Sequence, residues 1–174
     1  APVRSKMMFE ALEPRILLSA DLSFNPLAVS DPSFIDKELT LFHDTGLDQY
    51  QLLATDNSVV SFIGTADALL DDVITIDGSA LSDMLTLDIS ALESGLKIDF
   101  LGGGDDVLLA ANDSDFSFAE SSLIVGSNQY EITGFKSLEL TGGDSDNNFT
   151  LDGWLADFSI TGGLGEDDLI TNNF

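Results

Sequence analysis

Three Gly-Gly pairs constrain this chain more than any other feature: Gly102-Gly103, Gly142-Gly143 and Gly162-Gly163, spaced 40 and 20 residues apart. A period of this size means that one short unit is stacked several times, so the repeat is weighed before local propensity. Each pair follows an apolar strand end (DFLGG, ELTGG, SITGG) and leads through acidic residues into a second apolar run (DDVLLA, NNFTLD, DDLITN). A related phrase occurs earlier as Asp72-VITI-Asp77 and Asp83-MLTL-Asp88, with Thr75 and Thr86 in the place of Thr150 and Thr171. Glycine supplies the positive φ or the close backbone approach at a corner, and like strands then stack in parallel from one unit to the next. The expected fold is therefore all-β, a right-handed parallel β-helix or solenoid with coils of about 20 residues. Each coil is expected to bury residues such as Val73, Ile74 and Ile76 against its neighbours, with Asp and Thr facing outward.

Two stretches depart from the rhythm. Residues 115–135 lack a Gly-Gly pair but fill one coil length, and SLIVGSNQYEI within them reads as a hairpin around a GSN turn or as a coil without the pair. Upstream, LTLFH, YQLLA and VVSFI are separated by DTGLDQ and TDNS, which reads as short strands with turns between them. The expected division is 1–22 as an N-terminal motif and cap, 23–63 as an irregular β segment or first coils, and 64–174 as solenoid repeats. Residues 5–13 (SKMMFEALE) fit a short helix that Pro14 ends, and the apolar run after it suits an edge strand or a cap over the first coil.

Composition narrows the function. Hydrophobic residues make up 44% of the chain, with twelve Phe, which is too much apolar surface for a disordered chain. Six basic against 31 acidic residues give a net charge of −25, a field that repels nucleic acid and anionic lipid and attracts cations. The imbalance is uneven: residues 1–15 carry three basic and two acidic side chains, and the remainder carries three against 29. Without cysteine there is no disulfide and no thiolate nucleophile or ligand. No apolar run approaches the roughly 18 residues of a membrane span. Glu10, Glu13, Pro14 and Arg15 interrupt what would be the apolar core of a signal peptide, so this segment is read as retained. The repeat-like pattern runs to the last residues, and the chain is expected to be part of a longer protein.

The most chemically loaded phrase is Gly162-Gly163-Leu164-Gly165-Glu166-Asp167-Asp168-Leu169, a match to the G-G-x-G-x-D-x-U nonapeptide of calcium-binding β-rolls. Such sites pair turn carbonyls with an Asp oxygen on successive turns around a hard cation. Here the copies degrade: residues 142–149 carry Ser145 for Gly and Asn147 for Asp, and residues 102–108 are one residue short. Asp105, Asp106, Asp144, Asp146, Asp167 and Asp168 are accordingly weak calcium candidates, and calcium is the one cofactor anticipated. Asp44-Thr45-Gly46 matches the triplet of aspartic proteases in a single copy, where two carboxylates are needed, and is read as a turn. His43 is the sole histidine and is read as a strand-end residue. Trp154 is weighed as a sugar-stacking platform against a partly buried corner residue, the latter preferred. An enzyme acting on uronates would want a cluster of Lys or Arg, and only Lys97 and Lys136 lie in the repeats. The chain is expected to be non-enzymatic.

Phe9-Glu10-Ala11-Leu12-Glu13-Pro14-Arg15-Ile16-Leu17-Leu18-Ser19-Ala20-Asp21 resembles the LEPR-XLL motif found near the N-termini of very large bacterial surface and secreted proteins. Leu12, Glu13, Pro14, Arg15, Leu17 and Leu18 carry the match, which covers about 15 residues. The downstream Gly-Gly coils look like those of giant adhesin-like, RTX-type proteins that accompany the motif. The resemblance implies an extracellular or cell-surface location on a Gram-negative bacterium. It implies a structural or adhesive module whose partners are another protein, surface glycans or the rest of a longer chain. The alternative is an envelope-associated subunit with the motif as a sorting or anchoring signal. Physically, a Glu-Pro-Arg turn beside Ile-Leu-Leu offers a cap for the first coil, or a peptide that a partner grasps.

Overall fold

The computed structural model describes residues 22–24, 38–55, 59–63, 73–154 and 156–172. Fifteen strands and no helix occur among these residues. The first eight are β1 (Leu22–Phe24), β2 (Glu38–Asp44), β3 (Gln49–Ala54), β4 (Val59–Ile63), β5 (Val73–Asp77), β6 (Met84–Leu87), β7 (Lys97–Leu101) and β8 (Val107–Ala111). The rest are β9 (Phe116–Ala119), β10 (Ser122–Val125), β11 (Asn128–Thr133), β12 (Ser137–Thr141), β13 (Asn148–Asp152), β14 (Asp157–Thr161) and β15 (Asp168–Asn172). They form an eight-stranded sheet, β1-β5-β7-β11-β10-β9-β13-β15, and a seven-stranded sheet, β14-β12-β8-β6-β2-β3-β4. From β5 onward the chain crosses repeatedly from one sheet to the other.

Alternation along the strands explains the packing. Successive side chains point to opposite faces, and in β5 this buries Ile74 and Ile76 while Val73, Thr75 and Asp77 stay half-exposed. Parallel in-register pairing then lines up like residues. Leu39, Leu85, Leu108 and Leu138 form one column, and Leu41, Leu87, Ala110 and Leu140 the next. In the larger sheet, Ile74, Ile98 and Ile132 align, and Phe116 stacks on Phe149 with ring centroids 5.2 Å apart. All of these are buried and belong to one cluster drawn from both sheets. Each such Leu, Ile or Phe taken out of water contributes about 1.5–3 kcal/mol, so the columns, more than any polar contact, hold the sheets together.

The expected fold is corrected by this topology. The chain is all-strand, but both sheets mix parallel and antiparallel pairing, and a right-handed parallel β-helix with 20-residue coils is not what the strands form. The smaller sheet contains the antiparallel meander β2-β3-β4 and the larger one the meander β9-β10-β11. The physical reason lies in the spacing. The 40 residues between the first two Gly-Gly pairs do not hold two equal coils; between the parallel strands β8 and β12 they hold the three antiparallel strands β9, β10 and β11. A 20-residue offset between paired strands occurs where Asn148 pairs Asp168 and Ser137 pairs Asp157, whereas Phe116 pairs Phe149, 33 residues on. Val73 is likewise not a core residue. The hairpin expected around the GSN turn is present as β10-β11. The expected helix over 5–13 and the LEPR-XLL match at 9–21 lie outside the described residues. Strands from 23–63 join the same sheets as those from 64–174, with β1 paired to β5 and β2 to β6.

Candidate functional site

The acidic corners between strands fall into two sets. Gly102-Gly103 lies on a crossover from the larger to the smaller sheet, and Gly142-Gly143 and Gly162-Gly163 lie on crossovers running the other way. The first pair therefore stacks not on the other two but on the Gly78-Ser79 corner, where Gly103 N–H donates to the Ser79 carbonyl at 2.8 Å. On the second set, Gly142 N–H donates to the Thr161 carbonyl at 2.8 Å and Leu164 N–H to the Gly143 carbonyl at 2.9 Å. Asp105 and Asp106 are thus separated by topology from Asp144, Asp146, Asp167 and Asp168.

Within each corner one position recurs, the residue immediately before the next strand: Asp83, Asp106, Asn147 and Asp167. The first three are buried, at 3%, 2% and 2% exposure. They sit there because backbone donors need partners. A corner peptide N–H turned away from water costs free energy unless an acceptor reaches it. Asp106 Oδ1 accepts from Asp83 N–H at 2.9 Å, and Asp167 Oδ1 accepts from Asn147 N–H at 2.9 Å. Asp83 and Asn147 in turn accept from Ser79 N–H (2.6 Å) and Gly143 N–H (2.9 Å) within their own corners. Burial raises the Asp106 carboxyl above the ordinary range, partly offset by the Asp83 N–H. Asp83 departs from the outward orientation expected of the Asp residues that flank the strands: it is buried and serves a backbone donor. The available signal was an Asp or Asn standing four or five residues after a corner Gly and directly before an apolar strand.

A second row of acids works in the same way. Asp113 accepts from Ser145 N–H at 3.0 Å and its hydroxyl at 3.1 Å, Asp115 from Asn148 N–H at 2.8 Å, and Asp146 from Glu166 N–H at 2.8 Å. The Ser145 N–H, before any other contact, lowers the Asp113 carboxyl below its usual range. Asp105 lies 3.4 Å from Lys136 Nζ, which also donates to the Gly104 carbonyl. Asp144 and Asp168 are exposed. Among the described residues, no three His, Asp or Glu side chains come together as a metal-holding group. Glycine is required at Gly163, where φ is +106° and a Cβ would overlap the Gly143 carbonyl.

The remaining candidates lie elsewhere. Asp44 closes the β2–β3 turn by accepting from Gly46 N–H (2.9 Å) and Leu47 N–H (3.1 Å). His43 is buried in β2, stacked on Tyr50 with centroids 4.6 Å apart and 3.4 Å from Asp48. Trp154 is half-buried at the β13–β14 corner, edge-on to Phe118 with centroids 4.8 Å apart, and its Nε1–H donates to the Asp157 carbonyl at 3.2 Å. Beside it opens a cleft of about 190 Å³, lined among others by Phe118, Glu120, Ser121, Thr133, Phe135 and Trp154. No helix among the described residues is long and apolar enough to cross a membrane. Compared with known proteins, the chain matches no family model, no curated protein and no solved structure.

Proposed function

We propose that this protein is a non-enzymatic structural and adhesive module of a large secreted or cell-surface bacterial protein, joined at one end of its sheets to further chain. The observation that carries this reading is the state of the outermost strands. Phe158 continues the Leu39-Leu85-Leu108-Leu138 column, and Leu169 continues the Phe116-Phe149 column. Every earlier member of both columns is buried, yet Phe158 is 36% and Leu169 50% exposed. Among the described residues, β14 and β15 are the last strands of their sheets, each with one edge on which a further parallel neighbour can pair. Apolar side chains in register with a core, at the free edge of two sheets, are built to be covered. The resemblance of Phe9–Asp21 to the LEPR-XLL motif supports the cell-surface setting and a Gram-negative source. The field of a −25 chain directs its contacts toward other proteins, surface glycans and cations rather than nucleic acid. Calcium binds weakly along the acidic corners in this reading.

The test is to append a second copy of residues 155–174 after Phe174, beside a control with the same twenty residues shuffled. Amide exchange in β14 and β15 is expected to slow with the ordered copy and stay fast with the shuffled one. Equal exchange in both would sink the proposal that these edges take up further chain.

A further inference from the structure

We infer that the cleft between the β9–β10 turn and the β13–β14 corner binds an alkylammonium group, a site that does not depend on the structural reading above. The cleft, about 190 Å³, holds one compact head group and little more. Three of its lining residues are aromatic and held in place. Phe118 is buried, Trp154 is fixed edge-on to it and tied to the Asp157 carbonyl, and Phe135 lies against Phe100 with centroids 4.9 Å apart. Aromatic rings attract a cation through their quadrupole, most strongly where water is partly excluded.

Among the described residues that line the cleft, Glu120 is the one charged side chain, and none is Lys or Arg. Glu120 sits there at a conformational cost. It is the first central residue of the two-residue β9–β10 turn and has φ +55°, a left-handed value that L side chains rarely adopt. The next hairpin, β10–β11, meets the same demand with Gly126 at φ +58°. A glutamate kept where its neighbour uses glycine points to a role for the carboxylate, since such strain collects at binding sites.

Electrostatics selects among occupants. The chain's −25 field and the Glu120 carboxylate both favour a cation over a neutral ring. A sugar would also want several donors at the rim, and of the two hydroxyls there, Ser121 and Thr133, the Thr133 one is already given to Asp99 at 2.7 Å.

Trp154 is the only tryptophan, so intrinsic emission reports on the cleft directly. The full chain is titrated with choline, with its neutral isostere 3,3-dimethylbutan-1-ol and with a methyl hexopyranoside, ionic strength held constant with NaCl. Choline is expected to produce a saturable change in emission and the isostere one at least about tenfold weaker. Glu120→Gln is expected to weaken choline about tenfold with the thermal midpoint retained, and Glu120→Asp to restore part of the affinity. Equal responses to choline and the isostere, saturation by the hexoside alone, no response to any ligand, or unchanged choline binding in Glu120→Gln would each overturn the proposal. The comparison of isosteres on the unmutated chain decides the matter even if a variant fails to fold.

Discussion

At Asp106 a carboxylate is 2% exposed and close enough to Asp83 and Asp105 to feel both charges, and burial, the largest influence, raises its pKa. For an acid, a raised folded value means that ionisation works against the fold, so this contribution is worst at neutral pH and improves as pH falls through the raised value. Asp106→Asn keeps an oxygen for the Asp83 N–H and removes the charge, as Asn147 already does in its corner. It is expected to leave the thermal midpoint at pH 7 unchanged or higher, with the gain fading in acid. Asp106→Ala instead strands the Asp83 N–H and is expected to cost about 1–3 kcal/mol in chemical denaturation. Asp113 has the opposite sign: its lowered value favours the fold above the ordinary carboxylate range, and the benefit disappears as pH falls through that value. Asp113→Asn should therefore destabilise at pH 7 and converge on the parent in acid. A midpoint series from pH 7 down to below the ordinary carboxylate range, as far as about pH 2, reads both signs on the two variants. Acidic corners were legible in the chain, but their use was not. An Asp oxygen serves a cation or a peptide N–H equally well, and the donor that decides belongs to a corner 20 or 23 residues away.

Among the elements, the strands were easier to read than their directions. The apolar runs LTLFH, YQLLA and VVSFI became β2, β3 and β4, and the GSN turn became the β10–β11 hairpin because Gly126 announces it. The β9–β10 turn carries Glu120-Ser121 and no glycine, so nothing in the sequence separates β9 from β10 or marks the antiparallel insertion. The Gly-Gly period misled for a related reason. Gly marks a corner, not the sense in which the chain crosses between sheets, and Gly102-Gly103 crosses opposite to the other pairs. Two substitutions separate the demands of these turns. Glu120→Gly relieves a left-handed φ and is expected to stabilise by about 1 kcal/mol. Gly163→Ala adds a Cβ at φ +106°, against the Gly143 carbonyl, and is expected to cost about 1–3 kcal/mol. Urea denaturation of the two variants beside the parent checks both; a destabilised Glu120→Gly would mean that the turn is not strained.

For the whole molecule, the −25 charge sets a repulsion that every added cation relieves. Raising NaCl is expected to lift the thermal midpoint through screening alone, most steeply below about 0.15 M, where the Debye length is about 8 Å or longer. Divalent ions at the same ionic strength should add to this by condensing along Asp105, Asp144 and Asp168, which face solvent. The geometry argues that Ca²⁺ and Mg²⁺ will act nearly alike. Asp106, Asp146 and Asp167 already hold peptide N–H groups, and the Gly143 carbonyl, which a turn site would aim at the ion, accepts Leu164 N–H. A shaped site behaves differently, because a ligand bound only by the folded chain stabilises it by about 2.7 kcal/mol at a hundred times its dissociation constant. Calcium selects flexible oxygen cages that the smaller, more tightly hydrated Mg²⁺ fills poorly. Melts in NaCl, MgCl₂ and CaCl₂ at one ionic strength separate the two cases. Matching midpoints in the two divalent salts are the expected result, and a shift confined to Ca²⁺ would show that one corner exchanges its N–H contacts for an ion.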